Sequence, residues 1–410
     1  MKDLSLPFDK DQAEELLKEF GSPLYVYDED GLRIKAKKIN EAFSWANGYR
    51  NYFAVKATPT PKIIEILLDE GMGLDCSSLA ELEIAKRLKV PGDKIFFSSN
   101  NTGAEDFEFA IKLNAIVNID DLSQVRVFKS IIGDKTYPKI ALRYNPGDLK
   151  SGNEIIGEPT QAKYGMSTDQ LIEAIKILKE NIESLGLHVM VASGVSDEEY
   201  FADTARVLGI AFNRIKDATD IVPEFINIGG GIGVNYKPDQ PEFDIKLASK
   251  LIKEQLEKAG IEKVTFYTEN GRFVAGPHGY LLTKARYVMD KYKKYVGVDA
   301  SMHNLMRPGM YGAYHHITVL GKENEEHACE YDVSGSLCEN NDKFAIDRRL
   351  PKVEEGDILV IHDCGAHGHS MGFNYNGLLR SPEVIISKNH PPILARRAQT
   401  VDDYLTTVIF

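Results

Sequence analysis

The chain has 410 residues, of which 43% are hydrophobic and 27% charged, and its formal net charge is −12. This length allows two domains, because a single hydrophobic core stops growing near ~250 to 300 residues. The acidic balance argues against nonspecific nucleic-acid binding, and no basic run or stripe reverses it.

The cysteines and the apolar runs bear on where the protein works. Cys76, Cys329, Cys338 and Cys364 show no metal-ligand spacing and are too few for a disulfide scaffold. The first residues lack the apolar core of a signal peptide, and no apolar run approaches the ~18 residues of a membrane span. We therefore expect a cytoplasmic protein with reduced thiols and no membrane partner.

Short β-type runs alternate with helical stretches from residue 50 to residue 271. The helical stretches include 61–70, where a proline precedes an apolar series, and 79–88. Eight strand–helix units over roughly 240 residues fit a (β/α)8 TIM-type barrel, and an open doubly wound sheet is the main alternative. The eight runs cover residues 50–57, 73–78, 94–99, 115–120, 139–145, 186–193, 225–231 and 264–271.

Residues with useful chemistry stand at the ends of these runs. Barrel enzymes carry catalytic groups at the carboxyl ends of the strands, and phosphate sites commonly follow strands seven and eight. Here Lys56 ends the first run, and the glycines at 229–231 end the seventh. This placement favours the barrel over the open sheet. The other run ends hold Asp75, Arg143, Ser193 and the segment 269–272.

The last third of the chain has a different pattern. After residue 271 the β-type runs follow one another without helices, as expected for an antiparallel β domain. We expect the first ~25 residues to pair with this domain. The predicted division is therefore a barrel at 28–275 and a β-rich domain formed by 1–27 and 276–410. The runs cover 280–288, 294–298, 316–320, 328–334 and 357–361.

Lys56 is an unusual residue for the end of a buried strand. Its ammonium is costly to desolvate unless it is paired or used chemically. Desolvation is expected to lower its pKa, and a free amine can form a Schiff base with a carbonyl. Together with the glycines at 229–231, Lys56 suggests an aldehyde cofactor that carries a phosphate. The alternative is a lysine that extends its ammonium into solvent.

Eight strings, in order along the chain, resemble those of the fold-type III pyridoxal-phosphate decarboxylases, most closely the diaminopimelate decarboxylases. Each string alone is weak, but the ordered set is specific. The resemblance implies a barrel that binds pyridoxal 5'-phosphate plus a β domain. The strings are 21–27 (GSPLYVY), 53–57 (FAVKA), 75–81 (DCSSLAE), 229–233 (GGGIG), 269–272 (ENGR), 298–316 (VDASMHNLMRPGMYGAYHH), 338–342 (CENND) and 374–376 (NYN).

The resemblance assigns cofactor roles residue by residue. Lys56 would hold the aldehyde as a Schiff base, and Glu269 would keep the pyridine nitrogen protonated so that the ring accepts electrons. Asp75, Glu81 and Arg143 match positions near the lysine, although structural ion pairing explains them almost as well. The phosphate and ring contacts would come from Ser193, Gly229, Gly230, Gly231, Gly271, Arg272 and Tyr375.

The resemblance also implies a substrate with two charged ends. Arg272 and Arg307, with Tyr311 and Tyr375, would bind a distal carboxylate, because planar guanidinium groups suit carboxylates. Glu339 would bind the distal ammonium. A site built for both charges rejects analogues that lack one. We therefore expect decarboxylation of meso-diaminopimelate to L-lysine, the last step of lysine biosynthesis.

Cys338 resembles the family's cysteine that returns a proton to Cα after CO2 leaves. A thiol with a reference pKa of ~8.5 suits reversible proton transfer near neutrality, although a free cysteine is commonly a small buried hydrophobe. In the family, the segment that corresponds to Cys338 and Glu339 enters the active site of the partner subunit. The resemblance thus implies a homodimer with shared sites.

The chain departs from the family at several positions. Met190 replaces the histidine that stacks on the cofactor ring, and His188, two residues earlier on the same side of the strand, is a possible substitute. Asn270 replaces a proline, Asn340 and Asn341 replace Ser-Gly, and His367 replaces a tyrosine. These changes leave the Schiff-base, phosphate and pyridine roles intact and affect ring stacking and fine specificity.

Other functions remain as alternatives. His362, His367 and His369 lie near Asp363, but without a second firm ligand set a polar loop is favoured over a metal site. The substrate could be carboxynorspermidine or a basic amino acid. A non-catalytic decarboxylase-like binding protein would have no need for Lys56, Glu269 and Cys338 together, and a phosphate-binding barrel without pyridoxal phosphate leaves Lys56 unexplained.

Overall fold

In a computed structural model, which describes residues 4–153 and 155–410, the chain forms two β structures linked by helices. The strands, in chain order, are β1 Leu24–Asp28, β2 Arg50–Ala54, β3 Gly73–Cys76, β4 Ile95–Ser98, β5 Ile116–Ile119, β6 Tyr137–Tyr144, β7 Ile182–Val189, β8 Phe225–Asn227, β9 Thr265–Thr268, β10 Gly279–Asp290, β11 Lys294–Val298, β12 Ile317–Val319, β13 Cys329–Ser334, β14 Lys343–Leu350, β15 Ile358–Ile361, β16 Glu383–Ser387 and β17 His390–Arg396.

The first β structure is a closed barrel of parallel strands, β2 to β9 in chain order. It closes where β2 pairs in parallel with β9, with Arg50 opposite Tyr267 and Asn51 opposite Thr268. This pairing rules out an open doubly wound sheet. All eight predicted runs form barrel strands, so the predicted barrel is confirmed.

The helices between residues 29 and 258 cover the outside of the barrel, and their apolar stripes pack on the strands. The two helical stretches predicted at 61–70 and 79–88 are confirmed, and the second begins where the Ser78 hydroxyl accepts a hydrogen bond from the Glu81 amide at 3.4 Å. Within the described residues, no helix has the length and apolarity needed to cross a membrane. The helices are α1 Lys10–Phe20, α2 Glu29–Ala42, α3 Pro61–Asp69, α4 Leu79–Arg87, α5 Ala104–Lys112, α6 Leu122–Ile132, α7 Thr168–Leu178, α8 Glu198–Thr219, α9 Ile245–Lys258, α10 Arg272–Ala275, α11 Arg307–Tyr311 and α12 Val401–Leu405.

A compact aromatic cluster fills the barrel interior. Its buried side chains come from different strands, and Gly186 on β7 leaves the space that the ring of Phe225 occupies. Because the interior is packed rather than hollow, ligands can bind only at the ends of the strands. The cluster consists of Tyr52, Phe96, Ile116, Ala141, Phe225 and Tyr267.

The second β structure is a mixed sheet of nine strands, with β1 at its centre between β10 and β16. The prediction that the N-terminal residues join this sheet is therefore confirmed for β1, while residues before it form α1. The sheet is mostly antiparallel, but the pairs β1–β16 and β11–β13 are parallel. The expected antiparallel β domain is therefore confirmed, with two parallel pairs within it.

Three strands of this sheet were not predicted. Strand β14 is rich in charged residues because one of its faces is exposed, and β17 contains two prolines, which are tolerated only at a sheet edge. Strand β16 is a five-residue run between loops, too short for its period to be read. Their places depend on pairing with distant strands, which local sequence does not encode.

Candidate active site

Lys56 lies just beyond β2, in a single helical turn at Val55–Ala57. Its Nζ atom is 3.3 Å from an Asp75 carboxylate oxygen at the end of the neighbouring strand. The Lys56 side chain is 54% exposed, whereas Asp75 is 1% exposed. The lysine therefore reaches into an open space at the carboxyl end of the barrel, with a buried carboxylate at its base.

The charge state of this pair differs from the expectation. Asp75 raises the pKa of Lys56 above its ordinary value against opposing desolvation, and Glu269 and Glu81 add to the effect. Burial lowers this pKa, as expected, but the nearby carboxylates outweigh burial, so the net shift of the Lys56 pKa is upward. Burial raises the pKa of Asp75 to about 8, with Lys56 opposing. The Asp75 oxygen at 3.3 Å is placed to take the proton that Lys56 must lose before it attacks a carbonyl.

Glu269 follows β9 and is buried at the same end of the barrel. Its Oε1 atom accepts a hydrogen bond from the Asn227 amide at 2.8 Å, and its Oε2 atom lies 3.2 Å from Nε2 of His188. Burial opposes the charge, but His188, Lys56 and Asn227 together hold the pKa of Glu269 below its ordinary value. The site therefore holds a buried, ionised carboxylate.

The glycines after β8 form a tight backbone cradle. Gly229 and Gly231 have φ of +70° and +98°, which side chains rarely adopt. A Cβ atom at Gly230 would lie 2.2 Å from the Glu269 carbonyl oxygen, and one at Gly231 would lie 2.3 Å from that of Ala192. In the described part of the chain, the N–H groups of Gly230 and Gly231 have no protein acceptor. Such free amides suit an anion such as phosphate.

Two neighbouring segments complete the surroundings of the cradle. Ser193 follows β7 half-buried, and its carbonyl accepts a hydrogen bond from the Asn153 amide at 2.7 Å. Gly271 allows close contact with the lysine turn, since a Cβ atom there would lie 2.8 Å from that of Ala57. Met190 packs against the glycines, with its sulfur 2.8 Å from a Cβ position at Gly229.

Arg272 and Arg307 both contact Tyr236. Arg272 Nη1 donates to the Tyr236 hydroxyl at 2.9 Å, and the Arg307 guanidinium lies 4.7 Å from the centre of that ring. Arg307 also contacts buried His315, with 3.0 Å between Nη1 and Nε2. Burial lowers the pKa of Arg307, Tyr236 opposes this and Arg272 adds to it. Two cations held this close favour an anionic ligand.

The loop that contains His367 is attached to the lysine turn. The His367 amide donates to the Ala57 carbonyl at 2.9 Å, and the Ser370 hydroxyl donates to the same oxygen at 3.0 Å. Burial lowers the pKa of His367 to about 3, and Arg272, Lys56 and Arg307 add to this effect. A neutral imidazole thus stands among three cations, at the position where the resemblance expects a tyrosine.

Arg143 and Glu81 have structural partners. Arg143 pairs with the buried Asp120 at 3.0 Å and also donates to the Met190 carbonyl at 3.3 Å. Glu81 accepts from the Ser77 amide at 2.6 Å, which anchors the start of α4. These contacts agree with the ion-pair and capping explanation of both residues.

Three further predicted residues gather on the surface of the β domain. The Tyr375 hydroxyl donates to the Glu339 carboxylate at 3.3 Å, and the exposed Cys338 binds Asn376 through its backbone amide at 2.9 Å. No described contact joins this cluster to Lys56 or to the glycine cradle. Tyr311, at the end of α11, is 64% exposed. Within one chain, Lys56, Glu269, the glycines and the two arginines lie together. Cys338, Glu339, Tyr311 and Tyr375 lie on the surface instead.

The histidines considered as metal ligands have other partners. His362 lies 2.9 Å from the Thr318 hydroxyl, and His369 Nε2 is 3.0 Å from the Ser381 carbonyl. Across residues 4–153 and 155–410, no group of three or more histidine, cysteine or acidic side chains is arranged to hold a metal ion. These hydrogen bonds indicate that the histidines hold the loop at 362–369 in place.

A groove of about 750 Å³ lies elsewhere, between α1, α2 and the loops of the β domain. Its walls include Asp28, Lys35 and His278, but none of the carboxylates around Lys56. Catalytic chemistry needs convergent reactive groups as well as volume. The residues at the carboxyl end of the barrel, rather than this groove, therefore form the candidate active site.

Sequence reasoning gave no role to Asn227, Tyr236 and His315, and it considered His188 only as a substitute for the histidine that stacks on the cofactor ring. The alternation of β7 placed His188 on the same side as Met190, and Asn227 opens the glycine string. Their contacts with Glu269 could not be read from those positions. His315 lies in the string 298–316 and Tyr236 in the loop after β8. The contact of Tyr236 with Arg307 could not be predicted, because it forms only where the two β structures meet.

These residues fit pyridoxal 5'-phosphate. Lys56 supplies the amine for the aldehyde, Glu269 supplies an ionised acceptor for the pyridine N–H, and the glycines supply free amides for the phosphate. The match rests on three chemically different groups at one end of the barrel. Each group is suited to bind one functional part of the cofactor.

Comparison with known proteins agrees with this donor set. The model of the pyridoxal-dependent decarboxylases, pyridoxal binding domain, matches residues 30–276. Protein TabA of Pseudomonas amygdali pv. tabaci is 38% identical over 95% of this chain and 92% of its own length. The diaminopimelate decarboxylase of Methanothermobacter thermautotrophicus is 33% identical over 96% of this chain and 93% of its own length.

Solved structures extend the likeness to the whole fold. The crystal structure of diaminopimelate decarboxylase from Methanocaldococcus jannaschii in complex with L-lysine aligns with a TM-score of 0.91 and 32% identity. The alignment covers 97% of this chain and 94% of that one. With the barrel, the lysine turn and the glycine cradle in place, the chain belongs to the pyridoxal-dependent decarboxylases, enzymes that remove CO2 with pyridoxal phosphate as cofactor.

Proposed function

We propose that this enzyme decarboxylates meso-2,6-diaminopimelate to L-lysine and CO2, the last step of lysine biosynthesis. The observation that carries the proposal is the pair of guanidinium groups, Arg272 and Arg307, that both contact Tyr236. A substrate with one carboxylate to lose needs no such pair, whereas a dicarboxylate has a second carboxylate to bind. The L-lysine in the related crystal structure supports the same substrate class.

The residues of this chain divide the work around the cofactor. Bound pyridoxal phosphate supplies an electron sink for the pair of electrons left when CO2 departs. Lys56 holds and later recaptures the cofactor, and Asp75 accepts the proton that Lys56 gives up. Glu269 stabilises the proton on the ring nitrogen. Ser193, the glycines 229–231, Gly271 and Arg272 surround the phosphate, with Tyr375 as a further proposed contact.

The remaining substrate contacts are proposed to come from the exposed cluster of the β domain. Glu339 would bind the distal ammonium, Tyr311 and Tyr375 would donate to the distal carboxylate, and Cys338 would return the proton to Cα. Within one chain these residues lie on the surface and point to no described group of the lysine site. We propose that they serve the site of a second copy, so that a cytoplasmic homodimer forms two shared sites through its β domains (1–27 and 276–410), with barrels at 28–275.

Mixing two inactive variants tests the shared site. Lys56→Ala removes the amine of one half-site, and Cys338→Ser removes the thiol of the other. If each site uses both chains, a mixture exchanged at equal concentration regains about a quarter of wild-type activity, since half of the dimers are hybrids with one intact site. No regain after proven subunit exchange would contradict the shared site. A mixture of Lys56→Ala with Lys62→Ala, an exposed lysine on α3, measures simple dilution.

The reaction itself is tested with purified protein, pyridoxal phosphate and meso-diaminopimelate, with lysine and CO2 followed by mass spectrometry. Formation of lysine by the wild type and by Lys62→Ala, but not by Lys56→Ala, is the expected result. Cofactor binding without lysine formation would exclude diaminopimelate while keeping the cofactor role.

One finding favours a second candidate, a decarboxylase of another amino acid. TabA, at 38% identity, has a name that states no substrate, and it is more similar to this chain than the diaminopimelate decarboxylase at 33%. The same assay with carboxynorspermidine, L-ornithine and L-lysine separates the candidates. A kcat/KM above that for meso-diaminopimelate with any of these would replace our proposal.

A further inference from the structure

His188 is a buried histidine in contact with Glu269. It lies near the end of β7 with 1% of its surface exposed, and its Nε2 atom is 3.2 Å from Oε2 of Glu269. Its ring packs near Phe96, with 5.9 Å between the ring centres. A buried, polar side chain that touches a catalytic carboxylate is a candidate for a role in the reaction.

The contact has a defined direction. Glu269 already accepts a hydrogen bond from Asn227, and its position among cations keeps it ionised, so its oxygens act as acceptors. His188 must therefore donate from Nε2, which assigns a proton to that nitrogen. The other ring nitrogen, Nδ1, is buried and has no hydrogen-bond partner in the described chain. The Nε2–H group thus makes the one polar contact of this side chain.

Asn227 holds the opposite carboxylate oxygen and links it to the glycine cradle. Its amide donates to Glu269 Oε1 at 2.8 Å, and its carbonyl oxygen accepts from the Gly229 amide at 2.8 Å. With one donor on each oxygen, the carboxylate cannot rotate about its last bond without losing a hydrogen bond. The plane of the Glu269 carboxylate is therefore set by two buried side chains from neighbouring strands.

We propose that His188 is a positioning residue that aims the ionised Glu269 at the ring nitrogen of the cofactor. Its function is to make the site prefer a pyridine ring to a ring without nitrogen. The neighbouring ring-facing position holds Met190, which offers no proton, so the strand acts on the cofactor's charge through His188. This inference rests on the proposed role of Glu269 and is independent of which amino acid is decarboxylated.

The test compares two cofactors in the absence of substrate. Dissociation constants are measured by equilibrium dialysis for pyridoxal phosphate and for its carbocyclic analogue, in which C–H replaces the ring nitrogen. The ratio of the two constants reports only the interaction with the ring nitrogen, because the aldehyde and the phosphate are identical. Glu269→Gln sets the ratio expected when that interaction is lost.

His188→Leu removes the donor, and His188→Gln keeps an N–H in the same region. We expect Leu to lower the preference for the pyridine ring about tenfold, which corresponds to a hydrogen bond to a charged group, and Gln to stay within about twofold of wild type. Phe96→Leu, a change beside the same ring without a polar group, is the matched control and should keep the wild-type ratio.

A different pattern would overturn the proposal. If His188→Leu weakens both cofactors equally, His188 only fills space. Melting temperatures show whether each variant folds, and His188→Met replaces the leucine variant if the latter is unstable. A wild-type protein that binds the cofactor and prefers the pyridine ring but forms no lysine refutes the proposed substrate alone, so the two failures can be told apart.

Discussion

Replacing Gly230 with alanine tests the cradle directly. A Cβ atom there would lie 2.2 Å from the carbonyl oxygen of Glu269, whereas ordinary contacts begin at 3.4 Å. The two backbones must therefore separate by about 1 Å, at an overpacking cost of about 1–3 kcal/mol. The carbonyl belongs to the residue whose carboxylate addresses the ring nitrogen. The substitution should therefore displace both the backbone amides of the glycine cradle and the side chain of Glu269.

We expect Gly230→Ala to weaken pyridoxal phosphate binding by at least about fivefold, from the lower end of that cost. A displacement of about 1 Å at the reacting groups typically costs about 100-fold in rate, so kcat at saturating cofactor should fall by about that factor. Cofactor titration by absorbance and steady-state decarboxylation measure the two effects separately. Circular dichroism and the melting temperature show whether the barrel stays folded.

The matched control is Gly103→Ala, the same chemical change at the start of α5. There the nearest atom to a new Cβ is an Asp106 carboxylate oxygen at 3.5 Å, which is an ordinary contact. This variant should bind the cofactor and react as the wild type does. If Gly230→Ala also keeps cofactor affinity and kcat within twofold of wild type, the steric reasoning about the cradle is wrong.

Two other predictions concern Tyr236, which contacts the arginine pair, and Glu383 at the start of β16. Tyr236→Phe should lower kcat/KM for meso-diaminopimelate about tenfold at saturating cofactor, because the lost hydroxyl orients Arg272; a kcat/KM within twofold of wild type would contradict this. Glu383→Gln should lower the free energy of unfolding by about 2 kcal/mol at pH 7 in urea titrations, because buried Glu383 accepts from Tyr27 and Thr60 at 2.8 Å and from Arg396. Burial opposes the charge of Glu383, but His369 and Arg396 outweigh burial and lower the pKa of Glu383. The stabilisation from Glu383 is therefore present above the unfolded pKa of about 4.3, and it is lost as the pH falls through the lower pKa of the folded state. The difference between Glu383→Gln and wild type should therefore shrink below about pH 4, and a constant difference would exclude the linkage.

Local sequence was sufficient for the barrel because its strands repeat one simple pattern. Each strand is a short apolar run that ends in a polar or glycine residue, and each is followed by a helix with its own period. The β domain was less readable, since β14 and β17 carry charges and prolines that are compatible with strands only at exposed faces or edges. Pairing partners decide such segments.

The site was predictable where a residue type has one plausible chemical use. Lys56 and the glycines were found from residue type and strand position, and Glu269 from the family resemblance, and the structure brings them to one end of the barrel. The charge of Lys56 was not predictable, because it depends on the 3.3 Å approach of Asp75 from the next strand. Electrostatic effects fall with distance, and distance across a fold is a tertiary quantity.

The barrel, the candidate cofactor lysine and the glycine cradle could be read from the chain alone, because strand period, a lysine at a strand end and the absence of Cβ atoms are properties of local residues. The contacts of His188 and Asn227 with Glu269, and of Tyr236 with the two arginines, arise only in the folded protein. These contacts join residues that are far apart in the chain. They exist because closure of the barrel and packing of the β domain bring different strand ends to one place.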